Sequence, residues 1–415
     1  MCAATVRAQD DDAGTTGVAA MLIDATLQTE AVRVLSLDED RLIVADERGR
    51  RMELSVEGIL ALLPASGELP DPSHGIGAVS PNAAADAVPV DALRARMRGE
   101  QQGVIELIDG QRLPGSPSTT TGEAESVQWS HPKLGEFVLP LERIARIINP
   151  DASPALRLML ERDPVEDVVH LSNGDRLSGF VVSYANPVQI ETDQDVVEVP
   201  SERVVAAVFA NPRERIAGLI VWLEDGTVTT AETVRSPAGA SVEIGLSGGQ
   251  DAVYEIAELR AIGFDSGRLL ALSDLDPVEQ APIGERRLAP PIQRINHPDD
   301  VLTGSAATLD ALDVILPGPM RVVYEPPRIA RRFATTASLA PGAAPWGDCE
   351  LVILADDVEL FRQRLYNEAP TIAVNLPLEG RPRTLTIMVE PGNNGPIRDR
   401  VILHRPLILL DNQPQ

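Results

Sequence analysis

The chain has 415 residues, with 62 acidic and 36 basic side chains for a formal charge of −26, and aromatics at only 3%. At roughly 150 residues per domain, this length predicts about two to four domains, with cores built from Val, Ile, Leu and Ala because hydrophobic residues reach 44%. So negative a surface excludes nucleic-acid binding by charge, and no apolar run approaches the roughly 18 residues that a transmembrane helix needs.

Residue usage narrows the chemistry further. Lys133 is the only lysine, which argues against a phosphate-loop lysine or a Schiff base. The two cysteines, Cys2 and Cys349, make no CxxC motif and read as free thiols rather than as a disulfide. His74, His131, His170, His297 and His404 are dispersed, without HxxxH or HExxH spacing. Residues 1–20 read as a disordered terminus or as a signal-peptide remnant. Val6 and Ala8 fit the −3/−1 positions of a signal-peptidase site, although no apolar core precedes them. The remnant reading predicts a periplasmic or secreted, hence extracytoplasmic, location.

In chain order, a β repeat comes first. Residues 21–63 carry AVRVLSLDEDRLIVADERG and MELSVEGILALL. Residues 64–102 read as a Pro/Gly/Ala-rich linker ending in a short helix over Val90–Gln102, N-capped by Asp91. The repeat returns at 103–150 (GVIELIDGQRLPG, then FVLPLERIARIIN), at 165–212 (DVVHLSNGDRLSGFVV, then VVEVPSERVVAAVFAN) and at 216–266 (GLIVWLEDGTVTTAETV, then VYEIAELRAIGF). A helical patch over Ser153–Leu160, with Ser153 as N-cap and Pro154 at the first helical position, separates two copies. Asp109-Gly110, Asn173-Gly174 and Asp225-Gly226 supply the positive φ that tight hairpin turns need. A unit of about 45 residues cannot bury both faces alone, so the units either close as small bent barrels or join into one larger β assembly. Their pattern resembles the small Sm-like β-barrels. Glu142-Arg143 and Glu202-Arg203 read as strand-end pairs that fix the repeat.

Residues 267–291 read as a Pro-punctuated connector, and 292–411 as a second all-β region. Its strands are predicted over Met320–Glu325, Ile329–Leu339, Cys349–Ala355, Val358–Gln363, Thr371–Leu376, Arg383–Glu390 and Arg400–Leu410, with a tight turn at Asp356-Asp357. Short strands punctuated by turn signals predict a β-sandwich or jelly roll. The segments VVYEPPRIARRFATTASL (Val322–Leu339), CELVILADDVELF (Cys349–Phe361) and RTLTIMVEPGNNGPIRDRVILHRPLIL (Arg383–Leu409) resemble the novel putative carbohydrate-binding module, NPCBM, found with family 98 glycosyl hydrolases. Tyr324, Phe333 and Ala337 meet the family's aromatic and small positions. Gly392, Asn393, Asn394, Gly395 and Asp399 meet its late loop. The resemblance implies a galactose-binding-like jelly roll that associates with carbohydrate. Two departures stand beside it: LDALDVILPGP (Leu309–Pro319) lacks the family's histidine motif, and DRVIL (Asp399–Leu403) keeps only the first aspartate of its last-strand motif. The predicted fold class is therefore all-β, with tandem small β-barrel or hairpin repeats followed by a galactose-binding-like jelly-roll sandwich.

Sugar recognition pairs an aromatic platform with amide or charged partners. The candidates here are Trp346, Tyr366, Asn393, Asn394, Asp399, His404 and Arg405. Trp346 in PGAAPWGD is the leading one, against the alternative of a packed core indole. Tyr366 also reads as a strand-edge filler, and His404 as buried within an aliphatic strand. Asp348 and Glu390 offer the hard oxygens that a structural Ca²⁺ takes, or are simply solvated carboxylates; no cofactor is expected. No GxSxG elbow, GxGxxG turn or other catalytic spacing is present. The expectation is a non-catalytic, exported protein whose partner is a glycan or a cell-envelope protein. The alternative is a structural or protein-interaction scaffold whose sandwich has lost its sugar site.

Overall fold

The computed structural model describes residues 17–64, 102–118, 125–153, 156–157, 160, 164–214, 216–237, 241–246, 250–284, 288–296, 307–341, 343, 346–396 and 398–411. The protein is all-β. The first repeat unit comprises β1 (Val18–Asp24), β2 (Thr29–Leu37), β3 (Arg41–Ala45), β4 (Arg51–Ser55) and β5 (Ile59–Pro64). The second comprises β6 (Gly103–Leu107), β7 (Arg112–Pro117), β8 (Ser126–His131), β9 (Gly135–Pro140) and β10 (Ile144–Ile148). The third comprises β11 (Asp167–Leu171), β12 (Arg176–Tyr184), β13 (Val188–Glu191), β14 (Val196–Val199) and β15 (Val204–Val208). The fourth comprises β16 (Ile220–Leu223), β17 (Val228–Thr230), β18 (Thr233–Arg235), β19 (Ser241–Leu246), β20 (Gln250–Glu255) and β21 (Leu259–Gly263).

The four units share one wiring. The opening strand of each lies antiparallel between the next strand and the closing strand: β1 between β2 and β5, β6 between β7 and β10, β11 between β12 and β15, β16 between β17 and β21. The first hairpin turn places Gly110, Gly174 and Gly226 at φ 88°, 89° and 90°, the left-handed region where a Cβ is penalised. In the first unit Leu27 holds the equivalent place at φ 56°. Its N–H bonds back to Asp24 O, as Gly110 N–H does to Leu107 O.

A 3₁₀ turn precedes each closing strand, and its last carbonyl accepts from the residue after the opening strand. The pairs are Ala25 to Gly58, Ile108 to Arg143, Ser172 to Arg203 and Glu224 to Glu258. The Glu-Arg pairs expected to fix the repeat therefore act there through backbone, which is why Gly58 and Glu258 serve equally well. In the second unit the Arg143 side chain adds an ion pair with Asp109 at 2.9 Å.

The sequence leaves open separate barrels or a joined assembly, and the pairings join the units while each keeps its own closing strand. β10 runs against β15, and β21 against β5, so units two and three pair, as do one and four. A single core cluster runs through all four, including Val34, Ile105, Trp129, Val169, Val221 and Ile262. Units two and four also meet through His131, whose Nε2 lies 2.8 Å from Thr227 Oγ1, and through the Lys133–Glu258 ion pair. The helical patch is present as a turn capped by Ser153, whose Oγ accepts from Leu156 N–H at 3.2 Å. Residues 90–101 of the helix expected over Val90–Gln102 lie outside the described residues, as do Cys2, His74 and His297.

The rest of the chain forms β22 (Leu269–Ala271), β23 (Glu279–Pro282), β24 (Gln293–Ile295), β25 (Asp313–Pro317), β26 (Met320–Tyr324), β27 (Ala330–Leu339), β28 (Asp348–Ala355), β29 (Val358–Tyr366), β30 (Thr371–Pro377), β31 (Leu385–Pro391) and β32 (Arg400–Leu410). One sheet has the order β24-β25-β32-β27-β30, with β22 added against β32; the other has the order β23-β26-β31-β28-β29. Alternate residues such as Val314, Leu403 and Ala337 from the first sheet meet Val322, Ile387 and Ile353 from the second in one buried cluster. Tyr324 and Phe333 are fully buried in it, so their service is packing. The stretch 267–291, read from sequence as a connector, is woven into this sandwich through β22 and β23. Asp356 and Asp357 form the expected tight turn, both at positive φ, with Asp356 Oδ1 accepting from Arg383 and Thr384 N–H.

The outer face of the first sheet meets the repeat units. Ala334, Leu407 and Leu409 pack with Ile23, Leu27, Leu60 and Trp222. Asn375 Nδ2 donates to Leu27 O at 2.9 Å across the same junction.

Candidate functional site

One end of the second sheet gathers most of the residues singled out from sequence. Asp348 opens β28 opposite Tyr366, the last residue of β29, and Gly392 follows β31 beside them. Asp348 is 1% exposed. Its Oδ1 accepts from Arg364 Nε at 2.5 Å and its Oδ2 from Arg364 Nη2 at 2.8 Å, while Asn393 N–H donates to Oδ2 at 2.8 Å. The Arg364 guanidinium holds this carboxyl below the usual range, and the Asn393 and Asn394 N–H groups act in the same direction against burial. A Cβ on Gly392 would lie 2.4 Å from Asp348 O, so only glycine lets the late loop fold onto the carboxylate.

That framework presents the candidates. Trp346, two residues before Asp348, is 64% exposed; the alternative of a packed core indole is thereby corrected. Its loop is closed by Trp346 N–H and Gly347 N–H donating to Ala343 O. Tyr366 is half-buried and lies under the Arg364 guanidinium, 4.9 Å from ring centroid to carbon, a cation–π contact that fixes the ring plane. Asn393 and Asn394 are exposed at the loop tip. Asp399 is buried immediately before β32, near enough to act with Asp348 on Cys349, whose thiol is pushed up to about 12 chiefly by burial.

His404 and Arg405 do not join this cluster. Both are buried in the middle of β32, on the other sheet, with the Arg405 N–H donating to Asp313 Oδ1 at 3.0 Å. The carboxylates considered for Ca²⁺ each face a guanidinium: Asp348 is held by Arg364, and Glu390 by Arg362 at 2.6 Å. Among the described residues no group of three or more His, Cys, Asp or Glu is placed to hold a metal ion. Sequence reasoning missed Arg364. The turn at Asp356-Asp357 and the bulge at Ile353/Leu354 set a register that pairs Glu350 with Arg364, one diagonal step from Asp348.

No family model matches the sequence, and no curated protein is similar to it. Among solved structures the chain is similar to the CBM51 module of a Clostridium perfringens GH95 protein in complex with methyl-galactose. There the identity is 13% and the TM-score 0.27, over 34% of this chain and 99% of that one. It is also similar to the tandem CBM51 modules of a family 98 glycoside hydrolase from Streptococcus pneumoniae, at 10% identity and TM-score 0.28, over 75% of this chain and 78% of that one. An insecticidal delta-endotoxin from Bacillus thuringiensis matches at 7% identity and TM-score 0.21, over 75% of this chain and 52% of that one.

A second concavity, of about 390 Å³, lies where the second and fourth repeat units meet the sandwich. Asp109, Glu214, Trp222, Ser266, Asp274 and Asp310 are among its lining residues. None of the residues predicted from sequence to bind sugar lines it.

Proposed function

We propose that the sandwich is a carbohydrate-binding module and that its glycan contact is the loop end carrying Trp346, Tyr366, Asn393 and Asn394. The observation that carries this reading is the exposure of Trp346 on a loop anchored two residues later by the buried Asp348, which Arg364 holds. An indole face takes the apolar C–H face of a pyranose, while exposed amides supply the directional hydrogen bonds that choose among hydroxyls. Arg364 serves by fixing the Tyr366 ring and the Asn393 loop, so the contact is preorganised rather than ordered on binding. Asp399 supports the end from beneath; His404 and Arg405 have no part in it. Association with the cell envelope, outside the cytoplasm, accompanies this reading. A glycan array probed with the full chain and with Trp346→Ala tests it. The expected result is binding of at least one glycan by the native protein and loss of that signal in the variant. Absence of binding by a folded native protein, or equal binding by both, overturns the reading and favours a scaffold role.

A further inference from the structure

The first sheet carries a second, chemically different constellation on its outer face. His404 Nδ1 lies 2.8 Å from Asp313 Oδ2, and His404 Nε2 lies 2.8 Å from Ser338 Oγ. The three residues come from adjacent strands, β25, β32 and β27. Their flanking neighbours Val314, Leu403 and Ala337 point into the sandwich core, so strand alternation sends Asp313, His404 and Ser338 to the opposite face. Asp313 is fully buried, and its carboxylate only accepts. Nδ1 therefore carries the imidazole hydrogen, and Nε2 is left to accept the Ser338 hydroxyl.

The backbone is shaped around this histidine. Between the pairs Thr336–His404 and Ala334–Leu407, β32 contains one residue more than β27, a β-bulge, and Arg405 within it is held at φ 40°. Bulges re-aim side chains, and a non-glycine residue at such a φ is strained, so the surrounding contacts must sustain it. Here Asp313 Oδ1 accepts from the Arg405 N–H, and Thr335 Oγ1 donates to His404 O at 2.9 Å. Asp313 thus grips both the imidazole and the bulge. Ser338 is half-buried, and its cross-strand partner Thr371, on the edge strand β30, is exposed, so the serine sits beside a solvent-facing position. Ile315, Ile402, Ala340 and Ala343 form a small buried apolar cluster in the same region.

We propose that Ser338 is a nucleophile toward small acyl esters, with His404 as its general base and Asp313 as the positioning residue. Ser338 Oγ attacks the ester carbonyl as its proton passes to His404 Nε2. The C–O bond to the leaving group breaks, and the alcohol departs with the proton from Nε2. Water, deprotonated by the same nitrogen, then hydrolyses the acyl-serine, releasing the carboxylic acid and restoring Ser338. Positions 313, 338 and 404 share no local motif, so the arrangement is invisible in the sequence and opposes the expectation of a non-catalytic protein.

The test uses the full chain with a fluorophosphonate probe and with p-nitrophenyl acetate. The expected results are a phosphonyl adduct mapped by mass spectrometry to Ser338, acetate-ester hydrolysis, and loss of both by at least tenfold in Ser338→Ala and His404→Gln. Asp313→Asn is expected to slow labelling and to shift its pH profile, which a purely structural residue would not do. Ser338→Cys provides a second measurement: its thiol should be alkylated by iodoacetamide at pH 6, where ordinary thiols are not. No adduct at Ser338 in the folded native protein together with an unreactive Ser338→Cys, or activity surviving in Ser338→Ala, overturns the assignment.

Discussion

Arg364 binds both carboxylate oxygens of the buried Asp348, at 2.5 and 2.8 Å, and its own guanidinium lies on the ring of Tyr366. One arginine thereby ties the start of β28, the end of β29 and, through the Asp348–Asn393 bond, the loop after β31. Arg364→Ala leaves a buried carboxylate with backbone N–H partners only. Since Arg364 is itself partly solvent-exposed, the loss is smaller than the full penalty of a buried pair. Denaturant unfolding should register it. The Asp348 carboxyl is held low in the folded protein, so its contribution is fully present above the ordinary value of 3.8 and is lost as pH falls below it. The native protein should lose stability more steeply than Arg364→Ala on acidification from pH 5 to pH 3.

His131 predicts a second pH dependence, in a different window. Its Nδ1 accepts from Lys133 and Leu134 N–H, so the hydrogen sits on Nε2 and is donated to Thr227. Burial holds the imidazole below its ordinary value of 6.5, with Lys133 acting the same way and Asp225 opposing. A base with a depressed folded value stabilises fully above the unfolded value and less as pH falls through it. Thermal unfolding between pH 8 and pH 5 should show the native midpoint dropping below about pH 6.5, and His131→Gln should flatten that drop. Parallel curves would remove His131 as the cause.

Leu27 holds a turn position that three sister units give to glycine. Leu27→Gly relieves roughly 1 kcal/mol of left-handed backbone cost but removes a buried side chain worth about 2–5 kcal/mol. The burial term wins, because the Leu27 side chain packs into the junction with the sandwich. The variant should be destabilised by about 2 kcal/mol; a rise in stability would show that strain outweighs the junction.

The hairpins of the repeat and most strands of the sandwich were legible in the sequence because Asp-Gly turns and period-two alternation are local signals. Strand β25 was not, since DVILP reads as a short apolar run without alternation and its partners lie far along the chain. Trp346 was legible because Pro345 and Gly347 mark a loop. Arg364 required the register of a hairpin with a bulge, and the Ser338–His404–Asp313 set required the order of three strands; neither is written in local spacing. His404 was read as buried on its aliphatic neighbours, correctly, but burial concealed what its two nitrogens meet.

The nested pairing of closing strands, first with fourth and second with third, sets a rule of arithmetic for the array. An open-ended solenoid tolerates the gain or loss of one repeat, because each copy leans only on its neighbours. Here each closing strand has one specific counterpart, and deleting any single unit would orphan the edge of another. An orphaned edge is a template for pairing with foreign strands. Viable changes in length must therefore come two units at a time, or be met by a second molecule supplying the missing edge.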